Sequence, residues 1–202
     1  MDPKVMQKLS YGLFILTSHD GNKDNGCIIN TVTQVASEPN TISISLNKSN
    51  FTHDMILKTG KFNISVLSEN AQFDTFKHFG FQSGKNADKF AAVSISRADN
   101  GVAVIHTEET NAFISGRVLQ SIDLGSHTLF IASVDDGEVF SDVHSATYAY
   151  YFANIKPKPE VKPEIKKGWI CTICGYIYEG DKLPDDFICP VCKHLAPDFK
   201  PL

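Results

Sequence analysis

The feature that most constrains this chain is a pair of Cys-x-x-Cys motifs near its C-terminus. Cys171 and Cys174 form the first motif, Cys189 and Cys192 form the second, and fourteen residues separate the two. Four thiolates presented by two short loops can surround one metal ion tetrahedrally, an arrangement that suits iron or zinc. The spacing therefore predicts a metal site within residues 168–202.

The residues around the cysteines bear on which metal they hold. This short segment contains five aromatic residues, which would exclude water and lower the dielectric around the ion. Such an environment is what tuning a redox potential requires. A structural zinc ribbon is the alternative that the spacing alone leaves open. The five aromatic residues are Trp169, Tyr176, Tyr178, Phe187 and Phe199.

Taken together, these positions resemble the rubredoxins in their short-loop form. The resemblance implies one iron that alternates between Fe(III) and Fe(II) and carries a single electron, with Zn as the alternative metal. Lys193 departs from the pattern, since many rubredoxins have Gly after the fourth cysteine. The matching residues are Trp169, Cys171, Cys174, Gly175, Tyr176, Tyr178, Gly180, Leu183, Pro184, Cys189, Pro190, Cys192 and Phe199.

The totals of the chain exclude several classes of partner. With 202 residues, the chain is long enough for one medium domain and one small domain. Its net charge of −4 shows none of the excess of Lys and Arg that is typical of nucleic-acid-binding proteins, so we expect no nucleic-acid partner. Residues 1–10 lack the apolar stretch typical of a signal peptide, and no apolar run reaches the length of a membrane span, so we expect neither feature. With no visible disulfide framework, the chain is expected to be cytoplasmic, without a membrane partner.

A composition shift divides the chain. Residues 156–167 interleave Pro, Lys and Glu, and their prolines favour an extended tether. We therefore predict a first domain over residues 1–155, a linker over residues 156–167 and a small metal-binding domain over residues 168–202.

The body of the chain is rich in strand-forming residues, which favours a mainly β fold with an antiparallel barrel or sandwich. The clusters Asp20-Gly21-Asn22 and Asp135-Asp136-Gly137 are typical of turns. Four short helices are predicted as well, over residues 3–9, 50–59, 71–79 and 86–90. The predicted strands cover residues 12–18, 28–37, 41–46, 62–67, 102–107, 112–122 and 127–134.

Two polar clusters in the body could bind a ligand. Lys48, Ser49, Thr52 and His53 surround the start of the second predicted helix, where free N–H groups and the helix dipole favour a phosphate. The alternative is an ordinary capped surface helix. In residues 30–34, hydroxyl and amide groups alternate along a strand, and they could hydrogen-bond a heterocycle or simply face solvent.

In their order along the chain, these clusters resemble the flavin reductase-like FMN-binding family. The resemblance implies a split β-barrel with a few short helices, usually a homodimer, that binds FMN non-covalently near the subunit interface. The matching runs lie at residues 11–17, 30–36, 38–39, 45–49, 52–53, 79–85, 88–90 and 125–130.

Functional residues follow from the resemblance alone. It implies that Asn30, Thr31, Val32 and Thr33 contact the isoalloxazine, and that Lys89 lies near the flavin tail. His127 would stand beside the ring where this family receives nicotinamide, and it is our candidate catalytic residue. Leu46 is a further candidate contact of the cofactor. The residues that the resemblance places at the phosphate end of FMN are Asn47, Lys48, Ser49, Thr52 and His53.

A flavin reductase domain followed by rubredoxin resembles the high-molecular-weight rubredoxins of anaerobes. The resemblance implies electron transfer from NAD(P)H through FMN to iron, and then to a flavodiiron protein that reduces oxygen or nitric oxide. Two alternatives stay open: a flavin reductase that releases reduced flavin, and a non-enzymatic carrier reduced by another protein. The fifth cysteine, Cys27, is interpreted as a small buried residue.

Overall fold

The computed structural model describes residues 2–21, 23–158 and 168–202. They divide into two compact units, residues 1–156 and residues 157–202. Most of the predicted linker, residues 159–167, lies outside the described residues, so the predicted division at residues 155 and 167 stays a prediction.

The first unit is built on an antiparallel sheet of seven strands in the order β2-β1-β5-β8-β9-β4-β3. A separate short pair, β6 with β7, joins Ser96–Arg97 to Ala103–Val104. The strands of the large sheet are β1 Phe14–Asp20, β2 Lys23–Ile29, β3 Val32–Ser37, β4 Asn40–Asn47, β5 Lys61–Leu67, β8 Thr110–Asp123 and β9 His127–Val139.

The sheet curls around one hydrophobic core. Ile29 on β2 and Ile44 on β4 belong to the same buried cluster, although their strands lie towards opposite ends of the strand order. Phe62 and Phe130 fill the middle of that cluster and are fully buried. Because a flat sheet could not bring β2 and β4 to one core, the strands must wrap into a barrel-like form. The expected mainly β fold with few helices is confirmed.

Among the described residues, three α-helices accompany the sheet: α1 Phe51–Thr59, α2 Phe73–Gly80 and α3 Tyr148–Tyr150. A 3₁₀ helix covers Pro3–Lys8, and α3 continues as a π-helix over Tyr151–Ile155. The predicted start and end of α1 are confirmed: Oδ1 of Asn50 accepts from the N–H of Thr52, and Gly60 ends the helix at φ 68°. Phe76 and Phe79 of α2 pack with Tyr151 against the opposite face of β1.

Several predicted elements were wrong. Residues 28–37 form two strands, because the chain breaks at Asn30 and Thr31, where Oγ1 of Thr31 donates to the carbonyl of Ser45. Residues 86–90 are turns, and in residues 102–107 only Ala103–Val104 is strand. The predicted turn at residues 135–137 lies inside β9. Its Gly137 lets β8 approach closely, since a Cβ there would meet the carbonyl oxygen of Phe113 at 2.9 Å.

The second unit is a three-stranded antiparallel sheet in the order β11-β10-β12. Its strands are β10 Trp169–Cys171, β11 Ile177–Tyr178 and β12 Phe199–Pro201. Two of the cysteines, Cys171 and Cys189, are themselves core residues beside Leu183 and Phe199. The five predicted aromatic residues all pack in or against this core.

Across the described residues, every helix is too short or too polar to cross a membrane.

Candidate functional site

Each cysteine motif of the second unit forms a loop of the same geometry. The N–H of Gly175 donates to the carbonyl of Cys171 over 2.9 Å, and the N–H of Lys193 donates to the carbonyl of Cys189 over 2.9 Å. Both residues have a left-handed backbone, at φ 79° for Gly175 and 63° for Lys193. The departure at Lys193 therefore leaves the loop geometry intact.

The two loops bring the four sulfurs into one cluster. All four Sγ atoms lie within 4.8 Å of one another. Sγ of Cys171 lies 3.6 Å from that of Cys192, and Sγ of Cys174 lies 3.5 Å from that of Cys189. With metal–sulfur bonds of about 2.3 Å, a tetrahedral site has sulfurs about 3.8 Å apart, so the cluster fits one iron or zinc ion.

Backbone N–H groups point at these sulfurs. Burial raises the pKa of Cys174 to about 11 even though the N–H of Tyr176 donates to its sulfur, and burial raises the pKa of Cys192 as well. Burial also opposes ionisation of Cys189, but the N–H groups of Cys192 and Val191 lower its pKa overall. Because desolvation opposes the thiolate form of Cys174 and Cys192, these thiols are expected to ionise when a cation compensates their charge.

The four ligands differ in exposure. Cys171 and Cys189, the first cysteine of each motif, are buried, whereas Cys174 and Cys192, the second of each, are partly exposed. Behind the buried pair, the ring of Phe187 contacts those of Tyr178 and Phe199, with centroids 4.7 and 5.3 Å away. The sulfur cluster is therefore closed by aromatic rings on one side and open towards solvent on the other.

In the first unit, the structure brings most predicted flavin residues together. Asn30 and Thr31 connect β2 to β3, while Val32 and Thr33 begin β3 beside the end of β4. Leu46 and Asn47 end β4, and Asn47 lies directly opposite His127, the first residue of β9. The start of β3, the end of β4 and the start of β9 thus hold residues proposed for the ring, the phosphate end and the nicotinamide.

The loop from β4 into α1 carries the predicted phosphate residues. The backbone N–H of Lys48 donates to the carbonyl of Ser126, and its ammonium lies 2.6 Å from Oδ1 of Asp123. The hydrogen bond from Lys48 lowers the pKa of Asp123. Oδ1 of Asn47 accepts from the N–H of Ser49 over 2.8 Å. Lys48 and Ser49 therefore lie in the turn that precedes α1, with the Lys48 ammonium directed to Asp123 at the end of β8.

Thr52 and His53 are both buried, and their side chains are already hydrogen-bonded. Oγ1 of Thr52 accepts from Nδ2 of Asn25 over 2.8 Å. Nε2 of His53 lies 2.9 Å from Oγ1 of Thr128, and Nδ1 lies 3.0 Å from the carboxylate of Asp54. These side chains therefore fix α1 onto the sheet, and a direct role for them in holding phosphate stays a prediction.

Lys89 lies in the interior, 3% exposed, and not in an open cleft. Its ammonium donates to the carbonyls of Gly26 and Phe79 over 2.8 and 2.7 Å, and burial lowers its pKa while the nearby Cys27 opposes that shift. Burial raises the pKa of Cys27, whose thiol is hydrogen-bonded to Thr52. Lys89 therefore sits behind the first turn of α1, with Cys27 between them.

The sequence interpretation missed several residues around α1. Lys23 lies with its ammonium 4.9 Å from the ring centroid of Phe51, the first residue of α1, and it also donates to the carbonyl of Gly84. Gly84 packs so closely on Asn25 that a Cβ there would overlap the amide. Nothing in the local pattern around Lys23 signals this position, because it depends on the β1–β2 hairpin.

Two family profiles account for most of the chain. A profile described as "Flavin reductase like domain" matches residues 6–158, and one described as "Rubrerythrin, rubredoxin-like domain" matches residues 169–200. The high molecular weight rubredoxin of Moorella thermoacetica is 34% identical over 220 residues, which cover 95% of this chain and 96% of that protein. The chain belongs to the high-molecular-weight rubredoxin family.

Other relatives of this member of the high-molecular-weight rubredoxins match its first unit. A ferric-chelate reductase (NAD(P)H) of Archaeoglobus fulgidus is 37% identical over 158 residues, covering 78% of this chain and 93% of that protein. The structure of an NADH:FAD oxidoreductase from Streptomyces globisporus C-1027 aligns with a TM-score of 0.64 at 21% identity, covering 71% of this chain and 84% of that one. The structural likeness confirms the flavin reductase-like fold.

Proposed function

We propose that this chain transfers electrons from NAD(P)H through a bound FMN to one iron at the four cysteines, and from there to a flavodiiron protein. The observation that carries the proposal is the four-sulfur cluster, which fits a metal ion and lies on the same chain as a flavin reductase-like domain. FMN, when bound, would accept a hydride as two electrons and release them one at a time. The iron site would take them singly.

The residues around α1 would bind the phosphorylated end of the flavin. Lys23 places its ammonium over the ring of Phe51, the first residue of α1, and Lys48 lies in the loop just before the helix, whose dipole adds partial positive charge there. The hydroxyl of Ser49 is exposed at the same place. The backbone and hydroxyls of residues 30–33 would then meet the edge of the isoalloxazine, and Lys89 would act from behind α1.

His127 is proposed to meet the nicotinamide. It stands opposite Asn47 at the start of β9, its ring is partly exposed, and Nδ1 lies 2.9 Å from Oγ of Ser126. That contact would orient the imidazole towards a ligand on the sheet edge. A group so placed can position a substrate and so raise the rate of hydride transfer.

Electrons would leave through the exposed side of the metal site. Cys174 and Cys192 are the ligands that a partner could approach, since Cys171 and Cys189 are buried. Acidic side chains of the same unit are exposed and would guide docking to a basic surface on the acceptor. These side chains are Glu179, Asp181, Asp185 and Asp186.

We also propose that the chain is a homodimer in the cytoplasm. From Thr33 to Ser37, β3 is exposed on both faces, and so is the end of β8 from Leu119 to Asp123. Val35, Leu119 and Leu124 are each more than half exposed there. Exposed apolar side chains on sheet segments are typical of protein–protein interfaces, and a second copy of the chain would cover them.

An absorption spectrum recorded before and after anaerobic addition of NADH tests the relay. We expect the purified protein to show flavin and ferric–thiolate bands together, and both to bleach on reduction. Metal analysis is the companion measurement, because zinc in the cysteine site would be colourless. A protein that holds neither flavin nor iron after anaerobic reconstitution would contradict the proposal.

The order of the relay is tested with Cys171→Ser. This variant should abolish iron reduction while transfer from NADH to flavin stays near normal, because the two sites occupy separate units. Thr172→Ser is the matched control, since it lies in the same loop but outside the sulfur cluster and keeps the hydroxyl that donates to Asp198. Loss of flavin reduction in Cys171→Ser would contradict the order.

A second candidate function is a reductase that releases reduced flavin or reduces a ferric chelate directly. It is favoured by the Archaeoglobus relative, which is covered almost completely by the first unit alone. Deleting residues 157–202 separates the candidates: a free-flavin reductase would keep its full activity, whereas the proposed relay would lose reduction of its protein acceptor.

A further inference from the structure

The two cysteine loops match in their backbone but not in the residue that follows each second cysteine. The first loop has Gly175 at this point, and the second has Lys193. Among the described residues, Lys193 is the only residue other than glycine with a positive φ. An L side chain in this region is sterically disfavoured, so a glycine would be the simpler choice.

The side chain of Lys193 folds back over the loop that carries it. Its ammonium donates to the carbonyl of Pro190 over 3.1 Å. Pro190 lies between Cys189 and Cys192, so the cation is held against the four residues that present two of the four sulfurs. The other lysines of residues 168–202 are Lys182 and Lys200, and neither shows such a bond to a cysteine loop among the described residues.

The second loop also carries one of the two partly exposed cysteines. Cys192, the residue immediately before Lys193, is partly exposed, and the N–H of His194 donates to its sulfur. A cation hydrogen-bonded to the backbone of this loop is held at a fixed, short distance from the site, and the interaction between two charges grows as their separation falls. Lys193 is thus the lysine of residues 168–202 best placed to influence the metal.

We propose that Lys193 is a positioning residue whose ammonium favours the reduced state of the iron site and so draws electrons from the flavin. One electron converts Fe(III) with four thiolates, of net charge −1, into Fe(II) with the same ligands, of net charge −2. A fixed cation stabilises the more negative state by more. In the chain the electron comes from reduced flavin, and in a titration it comes from an added chemical reductant.

The inference rests on iron occupying the four cysteines, which is one part of the proposed function. The test measures the midpoint potential of iron in the full-length protein, following the ferric EPR signal so that flavin absorbance does not interfere. Lys193→Gln should make reduction roughly threefold less favourable, a decrease of about 30 mV for a one-electron couple. Lys193→Arg should keep the potential of the unmodified protein.

Two controls separate charge from backbone strain and from a general surface effect. Lys193→Gly removes the charge and the strained side chain together. The midpoint potential of iron in this variant should fall by about as much as in Lys193→Gln. Lys200→Gln removes an exposed charge from β12 and should change the potential less. Raising the salt concentration should shrink the difference between Lys193→Gln and the unmodified protein, because ions screen exposed charges.

The proposal is overturned if Lys193→Gln leaves the potential unchanged with full iron content, or if Lys200→Gln lowers it equally. It is also overturned if Lys193→Gly keeps the original potential. Failure of the iron assignment itself appears differently, as zinc or an empty site by metal analysis and no ferric signal in any variant.

Discussion

The two sites of this chain are assembled in opposite ways. The metal site draws its four ligands from two loops within residues 168–202, and each loop is shaped by hydrogen bonds among neighbours. The proposed flavin site would draw on the start of β3, the end of β4, the first turn of α1 and the start of β9, which only the folded sheet brings together. A local site can be recognised by its spacing, whereas a dispersed one depends on the sheet.

The difference extends to what holds each unit together. In the second unit two of the four cysteines are core residues and the other two pack against them, so we expect metal binding and folding to be coupled. In the first unit the core consists of buried aliphatic and aromatic side chains around Phe62 and Phe130, apart from most of the flavin residues. Binding and folding should therefore be separable in the first unit and inseparable in the second.

The largest expected effect is loss of the metal. Removing it with a chelator should unfold residues 168–202 while the first unit stays folded, because metal binding in such sites contributes on the order of 10 kcal/mol. Limited proteolysis followed by mass spectrometry checks this, with cleavage confined to the C-terminal unit. The comparison fails if the metal-free C-terminal unit stays resistant to protease.

The same loss should follow acidification. Cys174, whose pKa burial raises to about 11, must release a proton to bind metal, so affinity falls as the pH falls. A titration with a coloured metal indicator at several pH values measures this. Affinity that does not change between neutral and acid pH would contradict it.

A smaller effect is expected from Phe62→Ala in the first unit. Phe62 is fully buried in the barrel core, and such truncations lower the free energy of unfolding by about 3–5 kcal/mol. Denaturant titration should show the loss in the first unit only, with the metal site unaffected. Leu57→Ala is the matched control, because Leu57 is 53% exposed on α1 and its truncation should cost about 0.5 kcal/mol or less.

Lys89→Met tests whether a buried cation serves the dispersed site. No carboxylate forms an ion pair with Lys89 among the residues that the structure describes, so a bound phosphate would be its nearest compensating charge. Affinity for FMN should fall on the order of tenfold, while affinity for riboflavin, which lacks the phosphate, stays the same.

Fluorescence titration with the two flavins measures the effect of Lys89→Met, and thermal unfolding of the flavin-free variant reports any damage to the fold. An equal loss for both flavins would show that Lys89 acts through stability alone.

The smallest effect is expected from Asp123→Asn. Asp123 pairs with the ammonium of Lys48 at the exposed edge of the site, where it would compete with a phosphate. Removing its charge should strengthen FMN binding about threefold and leave riboflavin binding unchanged. Titration with both flavins at low salt checks it, and weaker FMN binding in the variant would place the phosphate elsewhere.

The sequence was most informative where a site or element is formed by residues that lie close together in the sequence. Four cysteines and five aromatics predicted the metal site, and the cap at Asn50 with the stop at Gly60 predicted α1. The chain break at Asn30 was missed because it depends on a hydrogen bond from Thr31 to a distant strand. The predicted turn at residues 135–137 was wrong because Gly137 lies inside β9, where the absence of a side chain lets β8 approach closely.

The same reasoning explains which site residues were not found. Lys23 reaches Phe51 only because the β1–β2 hairpin folds beside α1, and Asp123 reaches Lys48 only through the pairing of β8, β9 and β4. Lys89 was predicted to lie near the flavin tail, but the pattern could not show that its ammonium is buried against two carbonyls. Contacts between residues on different strands leave no recognisable pattern in the local sequence around either residue.

The burial of Cys27 has a practical consequence for assembling the metal site. This thiol is 4% exposed in the core of the first unit, so it is shielded from oxidants, alkylating reagents and incoming metal as long as that unit is folded. Only the four C-terminal thiols then compete for an ion during loading. Counting reactive thiols in the metal-free protein, whose first unit stays folded, should give four, and a fifth would report that the barrel has opened.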